Sequence, residues 1–132
     1  MPTITRKSHL TITERRREIP APVSWHVRSS AWKPLTDVYE TEDSLVVKME
    51  IAGLRDEDLD VVVQENVLIV SGTRSDSSER RAYHQMEIPF GKFEIAIDLP
   101  YAVNVEKAGA LYKDGFLMVT LPKASPKQIE EH

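Results

Sequence analysis

The chain has 132 residues, of which 29% are charged and 41% hydrophobic, with a formal net charge of −4 and no cysteine. The length suits one domain of about 100 residues with tails. The lack of cysteine excludes disulfides, thiolate catalysis and cysteine-ligated zinc, and it fits a reducing cytosol. No apolar run approaches the ~20 residues that span a bilayer. Residues 1–25 also lack the apolar block of a signal peptide, so we expect a soluble, cytoplasmic protein.

The charge is distributed unevenly along the chain. Residues 1–33 carry seven Lys/Arg against two Glu, a net of +5, whereas residues 34–132 carry ten against nineteen, a net of −9. Such a basic arm can bind nucleic acid or anionic lipid. The charges are dispersed, however, and this favours a solvated or self-associating arm. We expect no specific nucleic-acid partner and no membrane span.

The arm, residues 1–33, has no sustained hydrophobic period. Leu10-Thr11-Ile12-Thr13 alternates briefly, and the prolines at 20 and 22 push their preceding residues toward extended conformations. Trp25, Val27 and Trp32 are apolar anchors among polar neighbours. The pattern predicts a segment that gains structure against a partner.

From Pro34 onward the pattern becomes one of short strands. The first four predicted strands are Thr36–Glu40, Leu45–Ile51, Leu59–Gln64 and Val67–Val70. Ala52-Gly53-Leu54 breaks the second of them, and a polar turn follows in which Asp56 could cap one helical turn. Ser71-Gly72 is predicted to end the fourth strand.

The middle of the chain combines a polar loop with the clearest half-buried strand. Residues 73–81 contain no apolar side chain, and Tyr83–Met86 is a candidate short strand. Phe93, Ile95, Ile97 and Leu99 then alternate with Glu94, Ala96 and Asp98 until Pro100. This period of two indicates a strand with one buried face.

The last part of the sequence, Val105–Lys123, reads as strand, tight turn and strand. Asp114-Gly115 forms a two-residue turn, since both residues tolerate the positive φ that hairpin turns demand. Leu117, Val119 and Leu121 share one face of the following strand, and Pro122 is predicted to end it. Seven or eight short strands without a long helix indicate an all-β fold, an antiparallel β-sandwich.

The sequence offers little to support catalysis. His9, His26, His84 and His132 are scattered and predict no metal site. The glycines form neither a dinucleotide fingerprint nor a phosphate loop, and no G-x-S-x-G elbow is present. The Asp56-Glu57-Asp58 carboxylates fit a solvated turn better than a catalytic pair. We therefore expect no enzyme and no cofactor.

Several blocks resemble the small heat-shock proteins, the α-crystallin (Hsp20) family. Ala110-x-x-x-Asp114-Gly115-Phe116-Leu117 is similar to the A-x-x-x-(N/D)-G-x-L signature of that family. Further similar blocks, in family order, are Trp32–Glu40, Val46–Leu54, Asn66–Gly72, Tyr83–Glu87 and Phe90–Pro100. The resemblance covers residues 32–123 and is greatest to the bacterial, plant and archaeal branch.

The resemblance implies an immunoglobulin-like α-crystallin domain at 34–123, between a basic arm at 1–33 and a short tail at 124–132. It also implies an ATP-independent holdase that binds partly unfolded proteins under stress and prevents their aggregation. A co-chaperone module of the p23/CS type shares the sandwich and is the alternative. A nucleic-acid or membrane-associating protein is a third class. The Ala110–Leu117 signature and the Tyr83–Met86 block favour a small heat-shock holdase over the other two classes.

The family's interaction surfaces carry over to three sets of residues. A homodimer would form by strand exchange, in which Tyr83, His84, Gln85 and Met86 pair with Asp37, Val38, Tyr39 and Glu40 of a second copy. A groove for clients would be walled by Val61 and Val63 opposite Ala108 and Ala110. Leu10, Ile12, Trp25, Val27 and Trp32 of the arm would be further client contacts. The alternative is that these residues serve ordinary packing. Tyr83–Met86 would then pack on the sheet of its own chain, and the groove and arm residues would pack in the core or the tail.

The chain departs from the family pattern in three ways. Its tail has only Ile129 where members carry an Ile-x-Ile or Ile-x-Val plug for the groove of another dimer. The groove wall Ala108-Gly109-Ala110 is also small, where a larger aliphatic residue is common at the first position. Ile95 stands where arginine is common, and Ile69 and Met118 where threonine is frequent. These departures favour dimers or arm-driven assemblies over large shells. Leu10-Thr11-Ile12 is the nearest candidate for a displaced plug.

Overall fold

The computed structural model describes residues 9–15, 32–77 and 79–124, and these form nine strands. The strands are β1 (His9–Leu10), β2 (Ile12–Arg15), β3 (Leu35–Glu40), β4 (Ser44–Glu50), β5 (Leu59–Gln64), β6 (Val67–Arg74), β7 (Gly91–Asp98), β8 (Gly109–Lys113) and β9 (Phe116–Pro122). Asp56–Asp58 and Val105–Lys107 form single 3-10 turns.

The strands build two sheets that pack face to face. One sheet has the order β1-β8-β9-β4-β3, and the other has the order β2-β5-β6-β7. Neighbouring strands are antiparallel, with the exception of β2, which runs parallel to β5. The predicted all-β sandwich is confirmed.

The core lies between the sheets and is made by alternate residues of each strand. Leu117, Val119 and Leu121 of β9 are fully buried, as their shared face predicts, and Val61 and Val63 of β5 face them from the other sheet. Of the alternating residues predicted for β7, Phe93 and Leu99 are buried. Ile95 and Ile97, which lie between them in the sequence, are partly buried against the core. At about 25 cal/mol per Å² of apolar surface, this layer supplies the main driving force for folding.

The β8–β9 hairpin forms around the predicted turn. Asp114 and Gly115 have φ values of 54° and 81°, the pair of positive angles of a type I′ turn. The hairpin is shorter at its start than the sequence indicated, because Asn104 caps a 3-10 turn over Val105–Lys107. At its end, Pro122 is the last residue of β9, opposite Ser44, so the strand ends at Pro122 as predicted.

Two predicted boundaries were wrong. Ser71-Gly72 does not end β6, which continues to Arg74 opposite the start of β7. Gly72 serves close packing there, since a Cβ would lie 2.6 Å from the Asp58 carbonyl oxygen and 2.8 Å from Phe93 Cζ. Asp56 does not cap the acidic turn either. The cap position is Arg55, whose N–H donates to the Asp58 carboxylate at 3.0 Å.

Candidate interaction site at the sandwich edges

A two-sheet sandwich has four edge strands, and their unpaired backbone groups can bind further strands. On one side of the molecule the edges are β5 and β8, which are both covered by the arm. On the opposite side they are β3 and β7. We call the first the arm side and the second the loop side, after the segment 75–90 that leads into β7.

On the arm side, one short segment of the arm pairs with both sheets. His9 and Leu10 pair with Leu111 and Ala110 of β8, and from Ile12 onward the chain pairs with β5. Thr11 is exposed and lies where the chain crosses between the sheets. The crossing extends both sheets by one strand and closes the sandwich along this side.

The predicted groove residues lie together beneath this segment. Leu10 is directly opposite Ala110, and Ile12 is opposite Val61. Leu10, Ile12 and Ala108 are partly buried against the core, while Val61, Val63 and Ala110 are buried. Leu10 and Ile12 of the arm therefore cover the surface to which these four residues belong.

The buried hydroxyl of Tyr112 anchors the groove wall to the rest of the fold. It donates to the Ile51 carbonyl oxygen at 2.8 Å and accepts from the Leu54 N–H at 3.2 Å. Both partners lie in the turn after β4, so β8 is tied to the sandwich by side-chain bonds as well as by its ladder with β9. A buried hydroxyl with both bonds satisfied favours a fixed wall.

On the loop side, β3 is an edge with an apolar, exposed surface. It pairs with β4 along its whole length, from Leu35 opposite Glu50 to Glu40 opposite Leu45. Among the described residues its other side faces no strand. Leu35 is 74% exposed, and Val38 and Tyr39 are also exposed. Asp37–Glu40 thus offers backbone groups along its outer edge that pair with no described strand, together with the exposed apolar side chains of Val38 and Tyr39.

The predicted donor segment is exposed throughout. Tyr83–Met86 is not a strand within the single chain, contrary to the local sequence pattern, because a strand requires a partner and none of the described residues pairs with this segment. Tyr83, Met86 and Ile88 are 47%, 61% and 63% exposed. The segment therefore does not pack on its own sheet.

Arg74 fixes the start and end of this loop to the sandwich. Its Nε and Nη2 donate to the Pro89 carbonyl oxygen at 3.1 and 2.7 Å, and its Nη1 donates to the Ala52 carbonyl oxygen at 3.0 Å. Its guanidinium lies 4.3 Å from the centroid of the Trp32 ring and 5.5 Å from that of Phe90. Arginine suits this position because its planar group can stack and donate several bonds at once.

Trp32 occupies the base of the loop rather than a free surface. Its indole Nε1 donates to the Gly91 carbonyl oxygen at 3.0 Å, and its ring meets that of Phe93 edge-on at 5.2 Å. It is partly buried against the core and makes a backbone bridge to Phe93. Of the predicted arm contacts, Trp25 and Val27 lie outside the described residues.

A polar cluster holds the end of β3. The Tyr101 hydroxyl donates to one oxygen of Glu40 at 2.9 Å, and Lys123 Nζ contacts the other at 3.3 Å. The hydrogen bond from Tyr101, and then Lys123, lower the pKa of the Glu40 carboxyl. Burial and the bond to Glu40 raise the pKa of Tyr101. The cluster joins the edge strand to the segment after β7 and to the end of β9.

Sequence reasoning missed Arg74, Tyr101 and Lys123. A lone arginine at a strand end gives no local signal, since its partners are 15 and 22 residues away. Tyr101 and Lys123 are 61 and 83 residues from Glu40. Only the adjacency of Pro100-Tyr101 to the end of a predicted strand could have drawn attention to one of them.

The described residues contain no group of three or more His, Asp or Glu side chains placed to hold a metal ion. Within the same part of the chain, no helix has the length and hydropathy of a membrane span. The described residues have the geometry of a binding module: a two-sheet scaffold, one edge region filled by a segment of the arm, and one edge strand open beside an exposed loop.

These features define a β-sandwich whose edges are available for strand pairing between polypeptides. A comparison with family models matches residues 37–132 to the Hsp20/alpha crystallin family. The chain therefore belongs to the Hsp20/alpha crystallin family, as its sequence blocks indicated.

Individual relatives and solved structures agree with this assignment. The chain is 31% identical over 100 residues to small heat shock protein C4 of Rickettsia felis, covering 74% of this chain and 61% of the relative. It is 32% identical to a 17.7 kDa class II heat shock protein of Arabidopsis thaliana, covering 88% and 77%. The structure of heat shock protein 16.0 from Schizosaccharomyces pombe matches with a TM-score of 0.66 at 30% identity, covering 71% and 89%. The chain thus spans about three fifths of the rickettsial relative.

Proposed function

We propose that this protein is an ATP-independent holdase chaperone, which binds partly unfolded proteins and prevents their aggregation under stress. The observation that carries the proposal is the family match over residues 37–132 on a sandwich with an exposed, apolar edge. Family members are chaperones rather than enzymes, and nothing in the comparisons favours a p23/CS-type co-chaperone. The proposal includes no cofactor, a cytoplasmic location, and a domain at 34–123 between an arm at 1–33 and a tail at 124–132.

The proposed dimer forms by strand exchange on the loop side. Tyr83–Met86 of one copy would pair with Asp37–Glu40 of a second copy, and the reverse would occur at the symmetric site. Two features support this: the segment is exposed and unpaired in the described chain, and β3 is an open edge of complementary length. Reciprocal pairing satisfies the backbone groups of both edges and closes a two-fold dimer.

Clients would bind apolar surfaces of the arm and the groove. Leu10 and Ile12 lie over Val61, Val63, Ala108 and Ala110, so these two predicted surfaces are in contact with each other. Trp32 is less suited to bind clients, since its indole is bonded at the base of the loop. We propose Leu10 and Ile12 together with the groove as the client-binding region.

The test of the holdase is light scattering of a heat-aggregating enzyme with and without this protein, in the absence of ATP. We expect the scattering to fall in proportion to the chaperone added. A parallel assay at increasing salt distinguishes the nucleic-acid or membrane class, whose binding weakens steeply with salt. Unchanged aggregation at a tenfold molar excess of the protein would overturn the proposal.

A further inference from the structure

The side chain of Arg74 joins three segments that are far apart in the sequence. Its guanidinium lies 4.3 Å from the centre of the Trp32 ring, at the end of the arm, and 5.5 Å from that of Phe90, at the end of the loop. It also donates to the carbonyl oxygens of Pro89 at 2.7 Å and Ala52 at 3.0 Å. Arg74 is itself the last residue of β6, so the loop starts and finishes at one side chain. We call Trp32, Arg74 and Phe90 the junction.

Trp32 is held at the junction by contacts of its own. Its Nε1 donates to the Gly91 carbonyl oxygen at 3.0 Å, and its ring meets that of Phe93 edge-on at 5.2 Å. Phe93 is 2% exposed and belongs to the core, so the indole is backed by a fixed part of the sandwich. A cation over an indole face is attracted by the ring quadrupole. The arm residue thus gives Arg74 a firm surface to stack on.

Arginine is the residue type suited to this set of contacts. Its planar group offers several N–H donors in fixed directions and stacks on rings, whereas the lysine ammonium is a compact charge. Here three N–H groups of Arg74 reach two carbonyl oxygens. The stem also passes close to the turn after β4, since a Cβ at Gly53 would lie 3.4 Å from the Arg74 Cδ. These contacts fix both the position and the direction of the side chain.

Within the loop, a second set of contacts organises the donor segment. Arg81 Nη1 donates to the Tyr83 hydroxyl at 3.0 Å, and that hydroxyl donates to the Asp76 carboxylate at 3.4 Å. Arg81 also lies 3.8 Å from Asp76. The two limbs of the loop are thus joined at Tyr83, the first residue of the predicted donor segment. Because these groups are exposed, their ion pair contributes little, and the placement of the loop depends on its ends at the junction.

A loop whose two ends are fixed has less freedom to lose when it pairs with a second copy. A donor segment on an unrestrained loop has to be ordered during binding, which lowers the affinity. The apparent affinity falls in proportion to the fraction of molecules in which the segment is in place. The junction raises that fraction before the two copies meet.

We propose that the junction positions the donor segment Tyr83–Met86 for strand exchange, with Arg74 as the positioning residue and Trp32 as its support from the arm. The inference rests on the proposed strand-exchange dimer and adds the residues that set its affinity. It gives Trp32, which the sequence placed among the client contacts, a role in assembly. A change at the end of the arm then alters the dimer although Trp32 lies outside the donor and acceptor segments.

The test measures the dimer dissociation constant of the full-length chain by size-exclusion chromatography with multi-angle light scattering over a dilution series. Arg74→Gln should raise the constant about five- to tenfold, and Arg74→Lys nearly as much, because charge alone does not replace the contacts. Trp32→Ala should match Arg74→Gln, and Trp32→Phe, which keeps a ring but loses the Nε1 donor, should be intermediate. Arg80→Gln removes a positive charge from an exposed position of the same loop and should change the constant less than about twofold.

Two further readouts distinguish positioning from a general structural role. In a Trp25→Phe background, Trp32 is the sole tryptophan, and acrylamide quenching of its fluorescence should increase in Arg74→Gln but not in Arg80→Gln. In the natural background, the effects of Arg74→Gln and Trp32→Ala on the dissociation constant should not add in the double variant, because both remove the same contact. Circular dichroism verifies that each variant keeps the sandwich.

The outcomes separate this inference from the proposals on which it rests. If Tyr83→Ser/Met86→Ser dissociates the dimer and the Arg74 and Trp32 variants do not, strand exchange stands and the junction is overturned. If the Tyr83→Ser/Met86→Ser variant stays dimeric, both are overturned. A lower urea midpoint of Arg74→Gln at an unchanged dissociation constant, or an equal effect of Arg80→Gln on that constant, would also overturn the junction. A dimer weakened as expected, in a chain that does not suppress aggregation, would leave the inference standing and refute the holdase.

Discussion

At the scale of single residues, two glycines with ordinary backbone angles differ in their surroundings. A Cβ at Gly72 would lie 2.6 Å from a backbone oxygen, whereas one at Gly109 would meet nothing within 4 Å. Gly72→Ala should lower the free energy of unfolding by about 1–3 kcal/mol, since the backbone near Asp58 has to shift. Gly109→Ala should leave it unchanged or raise it by up to about 1 kcal/mol, by restricting the unfolded chain.

Urea denaturation of the two variants at one protein concentration measures both effects. Gly109→Ala is the matched control, since it adds the same methyl group. Equal midpoints for the two variants would contradict the close approach of β6 to the acidic turn and to Phe93.

The Glu40 cluster predicts a pH dependence of stability. The pKa of Glu40 is lowered in the folded state, first by the Tyr101 hydroxyl and then by Lys123. A lowered pKa gives stability that is present above the unfolded pKa of the carboxyl and is lost as pH falls through the folded pKa. Glu40→Gln should therefore reduce stability at pH 7 and have less effect in acid.

The measurement is thermal unfolding of the unchanged chain and of Glu40→Gln from pH 7 down to pH 3. Glu94→Gln, at an exposed position of β7, is the control for loss of one negative charge. If the difference in melting temperature between Glu40→Gln and the unchanged chain stays constant from pH 7 to pH 3, the stability that the cluster contributes does not depend on the ionisation of Glu40.

At the scale of elements, the exposed loop predicts a specific loss of dimer. Tyr83 and Met86 are largely exposed within one chain, so Tyr83→Ser/Met86→Ser should hardly change the stability of the sandwich. If the segment pairs with β3 of a second copy, the same change should weaken the dimer at least about tenfold, since interface side chains dominate such contacts.

Size-exclusion chromatography with multi-angle light scattering over a dilution series follows the dimer. The control is Ile88→Ser, which is equally exposed but lies outside the predicted donor segment. If Ile88→Ser dissociates the protein and the double variant does not, the exchanged strand has been assigned to the wrong residues.

The elements differ in how far sequence could predict them. The β8–β9 hairpin was predictable because Asp114-Gly115 and the alternation after it are local signals. The alternation of β7 fixed its buried face in the same way. The extension of β6 through Gly72 was not predictable, since it depends on the approach of Phe93 from another strand. The clamp made by Arg74 likewise joins residues far apart in the chain.

The candidate sites also have features that the sequence could predict and features that depend on contacts between distant segments. The four groove residues could be proposed as one surface only because the family resemblance supplies the arrangement of distant strands. Leu10-Thr11-Ile12 could be named as a candidate plug because its spacing resembles the Ile-x-Ile motif of the family, but its register against Ala110 and Val61 is a tertiary property. Contacts between segments that are far apart in the chain leave no periodic pattern in the sequence, so they could not be predicted from a single sequence.

At the scale of the whole molecule, the two candidate interaction surfaces lie on opposite sides of the sandwich. In the five-stranded sheet, β9 and β4 separate β8 on the arm side from β3 on the loop side. Three spacings of about 4.8 Å place these edges about 14 Å apart. Changes more than about 7–10 Å apart that share no partner usually have additive energies.

The two surfaces should therefore act independently. The arm variant is Leu10→Ser/Ile12→Ser, and the loop variant is Tyr83→Ser/Met86→Ser. The variant that combines them should suppress the aggregation of a heat-labile enzyme to the same extent as the arm variant, and its dimer should dissociate as readily as that of the loop variant. Both quantities are measured on the four proteins of a double-mutant cycle. Light scattering of the enzyme follows aggregation, and size-exclusion chromatography with multi-angle light scattering over a dilution series follows the dimer. Additivity within about 0.5 kcal/mol in the free energy of dimer dissociation would mean that a change in the arm segment leaves the dimer intact. A larger coupling would mean that release of the arm is transmitted across the core, and that client binding and assembly are controlled together.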